Sequence, residues 1–153
     1  GRRECGTWRR ERDACRDRGI ELHDVAGRSR EAPQGETGLG LKRLFDTSRY
    51  PARIRCKAGA GRAGLAAALY LIFQEKRSVP EAARQLSLRY GHMRSAKTGI
   101  LYRFLCAYAD SNAKTPIAFE DWVAGIYDPQ ALAGSQKPRR LQDCVADHVL
   151  HRE

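Results

Sequence analysis

Cys56 and Arg62 bracket a glycine-containing turn in the run I-R-C-K-A-G-A-G-R-A-G-L, residues 54–65. An ionised cysteine is a strong nucleophile toward phosphorus, and an arginine fork grips two oxygens of a phosphoryl group. Gly59 and Gly61 let the backbone between them curl, so that successive N–H groups turn inward and form an anion nest. That nest would be built from Lys57, Ala58, Gly59, Ala60, Gly61 and Arg62. A helix starting near Arg62 would add the positive end of its dipole beneath the same anion and favour the thiolate of Cys56. The spacing from cysteine to arginine is common by chance. It gains weight from its context, an apolar strand before the cysteine and an apolar helix after the arginine. The bland alternative is a buried cysteine in a tight strand-to-helix turn. A dinucleotide-type turn fits less well, because its glycines match only at Gly59, Gly61 and Gly64 and Arg62 intrudes.

Phosphoryl transfer to a thiolate also needs an acid to protonate the leaving oxygen. Asp24 stands at a strand end before a loop and is the first candidate; Glu31 and Glu36, inside the loop, are rivals. Each has the alternative of being an ordinary solvated carboxylate, and Arg28 and Arg30 in the same loop are read as solvated too. His92, Arg94, Lys97 and Thr98 form a polar group between two helices. They either back the Cys56 loop or belong to a helix-connecting turn with a threonine cap. Cys144, His148 and His151 share a helical face near the end of the sequence, with too few ligands for a metal site.

The elements that must position these residues follow from periodicity and breakers. Residues 6–18 form a charged helix with Trp8 and Cys15 as its inward positions, ended by Gly19. Residues 20–25 (I-E-L-H-D-V) alternate as a strand, and residues 26–36 are a loop. Apolar residues recur at helical spacing over 39–45. After Tyr50-Pro51, a short strand at 52–55 feeds into Cys56. Further helices are expected at 62–75, from Pro80, at 96–110 and at 119–127. Ile100, Leu101, Phe104, Leu105 and Tyr108 form the apolar face of the helix at 96–110. Residues 129–153 read as a polar tail with a short helix at 141–150. The sum is an α/β fold, a small central sheet flanked by helices, with the working domain at residues 1–128.

The 153 residues suffice for one domain with a core of its own. A composition 42% hydrophobic and 30% charged is that of a globular chain. The formal charge of +10, from 28 Lys+Arg against 18 Asp+Glu, favours anionic partners without choosing among them. No apolar run is long enough for a membrane span. Five cysteines, without close-paired spacing, argue against a disulfide framework or zinc ribbon and for a reducing cytoplasm. Nothing in the sequence sets the oligomeric state.

The stretch P-A-R-I-R-C-K-A-G-A-G-R-A-G-L-A-A-A-L-Y-L, residues 51–71, resembles the signature of the protein tyrosine phosphatase and dual-specificity phosphatase superfamily. It is most similar to the bacterial dual-specificity-like subgroup, as is Q-L-S-L-R-Y-G-H-M-R-S-A-K-T-G-I-L, residues 85–101. The likeness spans residues 10–128. It implies a phosphocysteine intermediate on Cys56, phosphoryl binding by Arg62, and no metal or other cofactor. The substrate would be a phosphorylated protein or a small phosphate monoester. Three features depart from the signature. Arg55 stands where a histidine usually precedes the nucleophile, and Ala63 where a hydroxyl residue stabilises the departing thiolate. The nucleophile also comes early, so one or two strands and a helix of the family's fold would be missing at the N-terminal side. The loop is similar, too, to that of inositide phosphatases of the phosphatase-and-tensin-homologue type, but Ala60 replaces their second lysine. Two other readings stand beside the enzyme: a phosphate-binding relative with little or no turnover, and a basic nucleic-acid-binding module. The second has charge in its favour but no recognised motif and no basic stripe with interleaved aromatics.

Overall fold

The Ala- and Leu-rich run G-R-A-G-L-A-A-A-L-Y-L-I-F carries strong helix formers and almost no polar group, which suits a helix enclosed on most sides. In the computed structural model, which describes residues 6–135, it forms helix α3, Gly61–Phe73, preceded by α1, Gly6–Asp17, and α2, Gly35–Thr47. Leu65, Ala66, Ala68, Leu69 and Phe73 of α3 are buried. A short α4, Val79–Ala82, follows and continues into a 3-10 turn. Its start is fixed by a capping box, in which the Ser78 hydroxyl accepts from the Glu81 N–H and the Glu81 carboxylate accepts from the Ser78 N–H. The chain then runs through 3-10 turns at Leu88–Tyr90 and Lys97–Gly99 into α5, Ile100–Lys114, then α6, Phe119–Gly125, and α7, Pro129–Gly134.

Helices α2, α4 and α5 pack on α3, and α6 closes the layer against α2 and α5. The apolar face read for residues 100–108 is the one that α5 buries, with Phe104 and Leu105 wholly enclosed. Phe104, Tyr108, Phe119, Trp122 and Tyr127 meet in edge-to-face and tilted pairs, with Phe73 reaching in from α3. Rings of this size each bring roughly 1.5–3 kcal/mol or more on burial. Their polar tips are satisfied: Trp122 donates to the Ser111 hydroxyl at 3.0 Å and Tyr127 to the Pro33 carbonyl at 2.7 Å. Gly38 lets α2 lie flat on Phe119, whose ring a methyl group at that position would meet at 2.8 Å. Lys42 of α2 and Glu120 of α6 pair across this contact at 2.9 Å. The Lys42 hydrogen bond holds the Glu120 carboxyl below its ordinary range.

The α/β architecture with a small central sheet is not what forms. The fold is helical, and no strand occurs among the described residues. Both segments expected as strands, 20–25 and 52–55, lack a regular ladder. Alternation gives a segment two faces, but a strand exists only through hydrogen bonds to a neighbour, and neither segment has one. Their apolar residues stay open to solvent: Ile20 is 55% exposed and Ile54 41%. The core is instead built by helices covering α3.

Gly19, at a φ of +63°, ends α1 as expected, and the Ile20 N–H returns to the Cys15 carbonyl at 2.8 Å. Trp8 and Cys15 are only half-buried on α1. Helix α7 adds a turn where the polar tail was expected to begin, capped by Asp128 and packed through Leu132 against the core. The helix expected at 141–150, with Cys144, His148 and His151, lies outside the described residues. No helix of the described residues is long and apolar enough to cross a membrane.

Candidate active site

Cys56 sits half-buried at the end of the extended segment, and residues 57–60 bend back before α3 begins at Gly61. Gly59 turns the chain at a φ of +73°, a conformation that a side chain would strain. Burial alone would raise the Cys56 thiol. The backbone N–H groups of Ala63, Ala58 and Gly59, followed by the charge of Arg62, outweigh it and hold the thiol below its ordinary value. Of the residues expected in the nest, Ala58 and Gly59 act on the sulfur through their N–H groups, joined by Ala63. Lys57, Ala58 and Gly59 lie exposed on its outer side.

Arg62, in the first turn of α3, donates from Nη1 to the Gly27 carbonyl at 3.2 Å, while its Nε is buried without a hydrogen-bond partner. The 26–36 loop therefore reaches across to the anion loop through its backbone. A second segment backs the turn from the other side. A methyl group built on Gly61 would lie 3.4 Å from Leu101, 3.7 Å from Ser29 and 4.0 Å from Nδ1 of His92. Gly91 stands equally close to Ala60. Further along α3, Gly64 is pressed against Leu86 and the Gln85 carbonyl.

The expected acids separate. Glu31 is engaged by Arg28, which donates to both its oxygens at 2.8 and 3.1 Å. Asp24 and Glu36 face one another's neighbourhood across an open cleft of about 410 Å³, lined also by His23, Val25, Ala26, Thr37, Gly40 and Leu44. Cys56 and Arg62 do not line that cleft. The segment that follows Asp24 carries Gly27, whose carbonyl accepts from Arg62.

Of the departures from the signature, Arg55 is turned away from the sulfur and paired with Glu11 of α1. The positive charge acting on Cys56 is that of Arg62, not Arg55. Ala63 supplies a backbone N–H to the sulfur and has no hydroxyl to offer. Of the polar group at 92–98, only His92 approaches the loop. Arg94 donates to the Leu86 carbonyl at 3.0 Å and lies 4.0 Å over the Tyr102 ring, Lys97 is exposed, and no side chain caps α5. Sequence reasoning had no means of finding Glu11, one charge among many on α1, or Gly27, which acts through a carbonyl that every residue carries. No group of three or more His, Cys, Asp and Glu side chains among the described residues is placed to hold a metal ion. Compared with known proteins, the chain matches no family model, no curated protein and no solved structure.

Proposed function

We propose that the chain is a cysteine-dependent phosphatase that hydrolyses phosphotyrosine or another phosphate monoester through a phosphocysteine intermediate. The observation that carries this reading is the depressed Cys56 thiol, surrounded by three backbone N–H groups and Arg62 at the N-terminus of a long apolar helix. A thiol shifted toward its thiolate by backbone N–H groups and an arginine is what attack on phosphorus favours. The resemblance of residues 51–71 to the phosphatase signature supports the same chemistry.

The Cys56 thiolate attacks phosphorus, forming the S–P bond while the P–O bond to the leaving group breaks. Asp24 donates the proton that the leaving oxygen takes up; Glu31, already engaged by Arg28, is the poorer donor. Water then attacks the phosphocysteine and gives a proton back to the Asp24 carboxylate, the S–P bond breaks, and inorganic phosphate leaves with the thiolate restored. Backbone N–H groups and Arg62 hold the equatorial oxygens in both steps. A reducing compartment such as the cytoplasm keeps the thiol available.

A second reading, a phosphate-binding relative with slow turnover, rests on Ala63, which cannot assist the thiolate as it departs. Hydrolysis of an aryl phosphate by the wild type and by Cys56→Ser decides between them. Steady turnover that disappears in Cys56→Ser is expected of the enzyme. A single burst of aryl alcohol without turnover belongs to the slow relative, and equal rates in both proteins would sink the thiolate mechanism.

A further inference from the structure

His92 is only 1% exposed, the buried polar side chain in an otherwise apolar core, and neither of its ring nitrogens has a hydrogen-bond partner. Its position is set by its backbone. The His92 N–H donates to the Ser87 carbonyl at 3.0 Å and the Gly91 N–H to the Leu88 carbonyl at 3.0 Å. The positive φ of Gly91 turns the chain so that Gly91 meets Ala60 and His92 meets Gly61. Two successive residues therefore back two successive residues of the anion loop, and the His92–Gly61 pair is buried.

A peptide unit is planar, with its N–H and C=O on opposite sides. When the loop turns its N–H groups toward an anion, its carbonyls turn toward whatever lies behind. Behind Gly61 water is excluded, and a carbonyl turned there needs a donor. We propose that His92 is a positioning residue of the anion loop, whose ring N–H takes up a carbonyl of residues 57–59 when a phosphoryl group draws in the N–H groups of that turn, the Ala60 carbonyl being held already by the Gly64 N–H at 3.2 Å. A neutral imidazole has one donor and one acceptor to give. Burial, and then the charge of Arg94, hold the imidazole below its ordinary value and favour that neutral form. A core histidine with a purely packing role would not be expected to leave both nitrogens unpaired beside the one loop that must orient its peptides.

This role rests on the reading of the loop as an oxyanion site, so the test uses inorganic vanadate and not turnover. Calorimetric vanadate affinity is compared in the wild type, His92→Leu and His92→Asn, with unfolding temperatures measured without vanadate. His92→Leu should keep its unfolding temperature and lose about tenfold in affinity, the equivalent of one hydrogen bond. His92→Asn, which donates and accepts, should recover part of that loss. Nitrogen NMR of the wild-type imidazole should show one ring nitrogen entering a hydrogen bond on vanadate addition, a readout that needs no variant to fold. Unmoved imidazole signals at saturating vanadate, or unchanged affinity in both variants, would overturn the role of His92 alone. A wild type that binds no vanadate overturns the oxyanion reading and His92's role with it.

Discussion

The sulfur of Cys56 is where burial and hydrogen bonding compete, and the backbone N–H groups with Arg62 win. Two outcomes follow at this scale. Alkylation of Cys56 by iodoacetamide should titrate below the ordinary thiol range, and Arg62→Ala should move that midpoint upward while lowering hydrolysis by about a hundredfold or more. The thiol is depressed in the folded protein, so folding is favoured by its ionisation. That contribution is complete above the unfolded thiol's value and vanishes as pH falls through the folded value. The denaturation midpoint of the wild type relative to Cys56→Ser should therefore rise with pH across that window, and a pH-independent difference would contradict the assignment. Among the acids, Asp24→Asn should cost roughly 10²–10⁴ in the rate of aryl phosphate hydrolysis. Glu31→Gln, which breaks only an exposed pair with Arg28, should stay within about twofold.

At the scale of elements, close approach governs. Gly64 lets α3 run past the segment after α4, and a methyl group there would lie 2.9 Å from Leu86 and 3.0 Å from the Gln85 carbonyl. Leu86 can move, but the carbonyl is backbone. Gly64→Ala should cost about 1–3 kcal/mol, read as a lowered unfolding temperature. Gly99→Ala, whose methyl would overlap the Arg94 carbonyl, should cost more. Neither demand is visible in the sequence, where both glycines stand in or beside helical patterns. The helices themselves were legible because an apolar face at helical spacing is a local property, as at Ile100, Leu101, Phe104, Leu105 and Tyr108. The strands failed because pairing is not local: residues 20–25 alternate faithfully, yet nothing lies beside them to complete a ladder. The turn that runs from Cys56 into α3 was legible because its parts are contiguous. Its supports were not, since Gly27, Gly91 and Glu11 come from distant segments and two of them act through backbone alone.

At the scale of the whole molecule, a helical layer around α3 leaves Cys56 and Arg62, at the start of that helix, half-buried. The far-ultraviolet dichroism spectrum should be dominated by helix. Amide exchange over residues 20–25 and 52–55 should be fast, because no ladder protects them; slow exchange there would show pairing that this fold lacks. The formal charge of +10 should make vanadate binding weaken with added salt, as a general attraction for anions requires. The most direct test of the account is acid-quenched mass spectrometry of the protein mixed with an aryl phosphate. The account expects a phosphoryl adduct on the peptide that contains Cys56, absent from Cys56→Ser and appearing no later than the free aryl alcohol. Release of aryl alcohol with no adduct on Cys56, at the same rate in Cys56→Ser, would contradict it.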